Sequence, residues 1–108
     1  MIPIAKPYLT AEDAQAAYDT ILTGWITQGP RVAEFEEKFA QYTGARYAVA
    51  VSNCTTALHL SMIVAGIGAG DEVICPSMRY IDTANSIKYV GARPVFAEVN
   101  PVTYNLDA

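Results

Sequence analysis

Val49-Ala50-Val51-Ser52-Asn53-Cys54-Thr55-Thr56-Ala57-Leu58-His59-Leu60 passes from strand-like to helix-like sequence within twelve residues. A β-prone apolar run, about Tyr47–Val51, meets the small polar residues Ser52–Thr56, and a helical apolar pattern follows. Ser52 and Asn53 are good helix caps, because their side chains accept bonds from first-turn N–H groups. A helix starting here presents N–H groups without intrahelical acceptors and the positive end of its dipole. The hydroxyls of Thr55 and Thr56 sit where those N–H groups point. Strand end, polar turn and helix N-terminus together form a ready site for an anion, most often phosphate. The plainer alternative is a capped helix that binds nothing.

Working outward towards the N-terminus, residues 1–9 carry two prolines and read as an extended arm. Thr10 is placed to cap a first helix, with Glu12 and Asp13 in its first turn. Ala14, Ala17, Tyr18, Ile21 and Leu22 recur at helical spacing, and Gly24 is a stop. The connector Gly24-Trp25-Ile26-Thr27-Gln28-Gly29-Pro30 holds an apolar pair that needs a packing partner or a binding role. Pro30 suits the first position of a second helix. Val32, Phe35, Phe39 and Tyr42 make its apolar stripe, Glu34, Glu36, Glu37 and Lys38 its wet face, and Gly44 its end.

Towards the C-terminus, the helix of about Thr55–Ala65 is apolar nearly all round and should be buried on most faces. His59, the only histidine, reads as a structural residue on it. Gly66-Ile67-Gly68-Ala69-Gly70-Asp71 follows a helix and precedes a strand, the wrong order for a dinucleotide fingerprint. Glu72–Cys75 reads as a second strand stopped by Pro76, and Ser77–Tyr80 as the turn after it. A helix over about Ile81–Val90, a stop at Gly91 and a third strand over Pro94–Val99 complete the pattern. Asn100-Pro101 turns the chain, and Tyr104–Asp107 trails off.

Strands alternating with helices imply an α/β fold with parallel pairing and crossover helices. Ligands on such sheets sit outside the carboxyl ends of the strands, the edge that holds the turns Ser52–Thr56 and Ser77–Tyr80. An aromatic, Tyr80, and a phosphate cradle, Thr55 and Thr56, at one edge suit a flat, phosphorylated ring.

Composition narrows the partners. The 108 residues make one small domain or part of a larger one, and 52% of them are hydrophobic, enough for a packed core. A net charge of −4 argues against nucleic acid. No apolar run reaches a membrane span, and the start lacks the pattern of a signal peptide, so the expected location is cytoplasmic, with no membrane partner. Cys54 and Cys75 fit no metal spacing and read as buried small residues.

The chain resembles the N-terminal part of the DegT/DnrJ/EryC1/StrS family of pyridoxal-phosphate-dependent sugar aminotransferases. The segments that carry the likeness are Ile2-Pro3-Ile4-Ala5-Lys6-Pro7, Gly24–Pro30, Ser52–Leu60, Gly68–Ile74, Thr83-Ala84-Asn85 and Pro94-Val95-Phe96, in the family's order. The resemblance implies the large domain of the aspartate-aminotransferase type (fold type I), with an incomplete sheet. It divides the chain into 1–30, an arm, first helix and connector, and 31–108, a partial cofactor-binding large domain. It also implies that Thr55 and Thr56 hold the cofactor phosphate and that Tyr80 stacks on the pyridine ring. The implied reaction moves an amino group from glutamate to a nucleotide-linked keto-sugar, in a homodimer with sites at the subunit interface. Relatives that are dehydratases share this region.

The likeness has gaps with chemical consequences. The family's Schiff-base lysine and the aspartate that pairs with the pyridine nitrogen have no counterpart here; Lys6, Lys38 and Lys88 match neither position nor context. The expectation is therefore a fragment that is inactive alone, with no catalytic residue of its own. The family's sheet also separates the first strand from the other two, which would leave open edges and bare helix faces. Arg79 and Asp82 stand where small residues are more usual, and Cys54 where glycine or alanine is. Two other readings compete: a small non-catalytic module binding a phosphorylated ligand at the 52–56 helix N-terminus, and a structural piece that binds nothing.

Overall fold

Thr10 opens the first helix with a reciprocal cap. In the computed structural model, which describes residues 2–3 and 5–107, its hydroxyl accepts the Asp13 N–H at 3.3 Å and its own N–H donates to the Asp13 carboxylate at 2.8 Å. The parts of the expected arm that fall on Met1 and Ile4 lie outside the described residues. The order of elements is α1 (Ala11–Leu22), α2 (Pro30–Thr43), α3 (Cys54–Val64), β1 (Glu72–Pro76), α4 (Asp82–Tyr89) and β2 (Arg93–Ala97). They fall into two compact units, Met1–Ala50 and Val51–Ala108.

In the first unit, Gly24 ends α1 at φ +74, a left-handed turn that glycine makes without strain. The connector then folds on itself. Trp25 lies so close over Gly29 that a Cβ there would meet Trp25 Cε3 at 3.1 Å, so the aromatic finds its partner in the connector's own backbone. Pro30 starts α2, and Phe35 and Phe39 pack ring to ring at 5.7 Å. The expected wet face is correct for Glu34, which bonds Arg31 and Lys38. Glu36 is half-buried, and its carboxylate accepts the Ala50 N–H at 2.8 Å. No residue of α1 or α2 is buried.

The expected first strand is not one: Tyr47–Val51 has no regular secondary structure. A strand exists only through its ladder, and the two strands that do form pair with each other. One of the N–H groups that a ladder would use, that of Ala50, goes instead to Glu36.

In the second unit, β1 and β2 run parallel with α4 as the crossover, in the register Glu72↔Arg93 to Pro76↔Ala97. Cys75, Ile87 and Ala92 form the buried core, with Met62, Ile67, Val73 and Val90 packed against it. Ser86 is fully buried and donates to the Thr83 carbonyl at 3.0 Å, so its hydroxyl is satisfied. Strand alternation turns Ile74 away from that core, and it stays 64% exposed. α3 differs from expectation. None of its residues is buried, and Val64 is 87% exposed. A two-stranded sheet and one short helix offer too little surface to cover a helix that is apolar nearly all round.

Two smaller expectations also change. Cys75 is buried as expected, but Cys54 is exposed at the α3 start, where no packed layer covers it. The tail does not trail off. Asn100 Oδ1 accepts the N–H groups of Val102 and Thr103, and Val99 and Leu106 form an antiparallel bridge. An Asx turn folds it back.

Candidate cofactor site

Asn53 is the cap of α3. Its backbone is extended and its Oδ1 accepts the Thr56 N–H at 2.8 Å. The same oxygen accepts the Thr56 hydroxyl at 3.1 Å, and Ser52 Oγ lies 3.3 Å from Thr56 Oγ1. The N–H groups of Cys54 and Thr55 sit in the first turn, where a helix has no acceptor of its own to offer. No acidic residue of α3 offsets its positive end.

The other hydroxyl leads elsewhere. Thr55 Oγ1 donates to Asp82 Oδ2 at 2.8 Å, and Asp82 Oδ1 accepts from Asn85 Nδ2 at 3.2 Å. Asp82 is the first residue of α4, so this bond ties the N-termini of the two helices together. Tyr80 lies two residues earlier, at the entry to α4, and is 77% exposed. Its carbonyl accepts the Thr83 N–H at 3.1 Å, which fixes the backbone of the turn and leaves the ring face open. Thr55 and Thr56 therefore share one helix turn, and the Thr55–Asp82 bond brings the Tyr80 turn beside them. His59 stacks edge-on against Tyr89 at 5.5 Å, a packing contact. In the sequence Asp82 stands out only as an unusual residue; its bond spans 27 positions, and no local pattern announces it.

A donor-rich helix start beside an open aromatic suits a phosphorylated ring. The sequence profile of the DegT/DnrJ/EryC1/StrS aminotransferase family matches residues 7–108. This chain belongs to that family. It is 46% identical over 99 residues to the UDP-4-amino-4-deoxy-L-arabinose–oxoglutarate aminotransferase of Shewanella sediminis, covering 92% of this chain and 26% of that protein. It is 46% identical over 108 residues to the GDP-perosamine synthase of Caulobacter vibrioides, covering 99% and 29%. Among solved structures, a Streptococcus pneumoniae protein assigned as a sugar aminotransferase superposes with a TM-score of 0.89 at 37% identity, over 98% of this chain and 27% of its own. That protein is known in PLP and PMP forms, so family membership implies pyridoxal phosphate as the cofactor. The chain thus spans between 26% and 29% of these relatives' length. Its α/β unit with an open parallel sheet is the corresponding part of their fold. Among the described residues, no helix is long and apolar enough to cross a membrane.

Proposed function

We propose that these residues supply the cofactor-phosphate cradle of a cytoplasmic aminotransferase that moves an amino group from glutamate to a nucleotide-linked keto-sugar. The observation that carries the reading is the α3 start, with Thr55 and Thr56 in its first turn and Tyr80 exposed beside it. The donor set fits a phosphate: two first-turn N–H groups, and the hydroxyls of Ser52, Thr55 and Thr56, of which those of Thr55 and Thr56 must turn from Asp82 and Asn53 Oδ1 to reach it. The exposed Tyr80 ring suits a flat heteroaromatic held by its phosphate nearby.

Pyridoxal phosphate, when bound, supplies an aldehyde that condenses with amines and a ring that withdraws electrons from the attached carbon. The work of this chain is to hold it. Thr55 and Thr56 anchor the phosphate, and Tyr80 covers one ring face. Residues 1–30 serve as arm, first helix and connector, and residues 31–108 as part of the large domain of a homodimer. None of Lys6, Lys38 and Lys88 matches the Schiff-base lysine of the family, so the 108 residues alone are expected not to transaminate.

A hybrid tests this directly. These 108 residues replace the matching part of the Caulobacter vibrioides relative, and glutamate-dependent release of 2-oxoglutarate is followed with that relative's own substrate. The expected result is turnover by the hybrid and none by the 108-residue chain. A hybrid that folds, binds no pyridoxal phosphate and turns nothing over contradicts the reading.

A further inference from the structure

We propose that Asp82 is a positioning residue for the cofactor phosphate, holding the Thr55 hydroxyl proton that an anionic ligand needs. This rests on the cofactor reading above and goes beyond it. A hydroxyl has one proton to donate. That of Thr55 is spent on Asp82 Oδ2 at 2.8 Å, in a partly buried, charge-assisted bond. With that proton engaged, Thr55 turns only lone pairs towards an anion at the α3 start. Asp82 is itself held, since Asn85 Nδ2 donates to its other oxygen at 3.2 Å. Asp82 also sits in the first turn of α4, where the helix dipole favours its negative charge. The phosphate of the cofactor and the carboxylate of Asp82 therefore compete for one proton, and the like charge of Asp82 opposes the phosphate further. The remaining donors, the N–H groups of Cys54 and Thr55 and the Ser52 hydroxyl, take the phosphate whether or not Thr55 is released. The consequence is a site whose hold on the phosphate is deliberately moderate, set by a residue that does not touch the ligand.

The test uses the hybrid enzyme described above and two pairs of probes. Inorganic phosphate and pyridoxamine phosphate carry the anion; sulfate-free buffer and unphosphorylated pyridoxamine serve as controls. Pyridoxamine phosphate lacks the aldehyde, so stray lysine adducts do not enter. Dissociation constants come from phosphorus-31 line widths and ligand fluorescence, with helix content checked by circular dichroism. Asp82→Asn keeps the size of the side chain and removes its charge. It is expected to tighten inorganic phosphate and pyridoxamine phosphate by roughly tenfold and to leave pyridoxamine unchanged, a discrimination that a general change in packing would not produce. Asp82→Ala, which removes the acceptor, should do the same. In a Thr55→Val background the gain from Asp82→Asn should shrink to the part that comes from relieving like charge. Equal phosphate affinity in wild type and Asp82→Asn overturns the inference alone, as does a gain fully kept without the Thr55 hydroxyl. Absence of phosphate binding in every protein overturns the cofactor reading and the inference with it.

Discussion

The two units carry similar amounts of apolar sequence and use it differently. In Met1–Ala50 the helices α1 and α2 bury nothing, and apart from the Glu36–Ala50 bond their side-chain bonds are local, as in the Thr10–Asp13 cap and the Arg31–Glu34–Lys38 chain. In Val51–Ala108 a parallel strand pair and α4 enclose Ile87 completely, and the bonds that matter cross from element to element. The lesson is that helices form from neighbours in sequence, whereas a site needs partners from far along the chain. The candidate cofactor site lies in the unit that has a core.

The sharpest way to break this comparison is to empty that core. Ile87→Ala leaves a cavity beneath α4 and is expected to cost about 2–5 kcal/mol, abolishing protection of the β1 and β2 amides in hydrogen exchange. The amides of α1 should exchange as before. Loss of protection in both units together would show that they are one cooperative body.

A smaller effect is expected at the α3 cap. Asn53→Ala removes the acceptor for the Thr56 N–H and should cost about 1 kcal/mol, read as faster exchange at Thr56 and Ala57. Unchanged exchange would mean that tertiary contacts, not the cap, hold the helix start.

The smallest effect is in the first unit. Its bonds from the Thr10 backbone and hydroxyl hold the Asp13 carboxyl below its usual range. A lowered folded pKa favours the folded form above the unfolded value, and that advantage disappears as pH falls through the lowered one. α1 helicity should therefore be constant from neutral pH down to the ordinary aspartate range and then decline. The same titration of Asp13→Asn, followed by amide shifts in α1, should be flat in that window.

Much of this was legible because it is local. Thr10, Gly24, Pro30 and Gly44 mark helix ends by their own chemistry, and Ser52-Asn53 announced the α3 start to within a residue. Glu72 and Phe96 fell on strands as expected. What failed depended on partners. Tyr47–Val51 has strand-forming residues and no strand beside it, and the largely apolar α3 needs cover that two strands cannot give. The Thr55–Asp82 bond was invisible for the same reason. The folded-back tail was a different miss, since Asn100 ahead of a proline is itself a turn signal.

If the α3 start holds a cofactor phosphate, the dissociation constant of pyridoxal phosphate from the hybrid enzyme reports it. Thr55→Ala and Thr56→Ala together remove two hydroxyls that turn to the phosphate in competition with Asp82 and Asn53 Oδ1, and leave the backbone N–H groups and the Asn53 cap in place. A weakening of roughly tenfold is predicted for pyridoxal phosphate, with unphosphorylated pyridoxal unaffected. An unchanged constant for pyridoxal phosphate in the double variant would contradict the account.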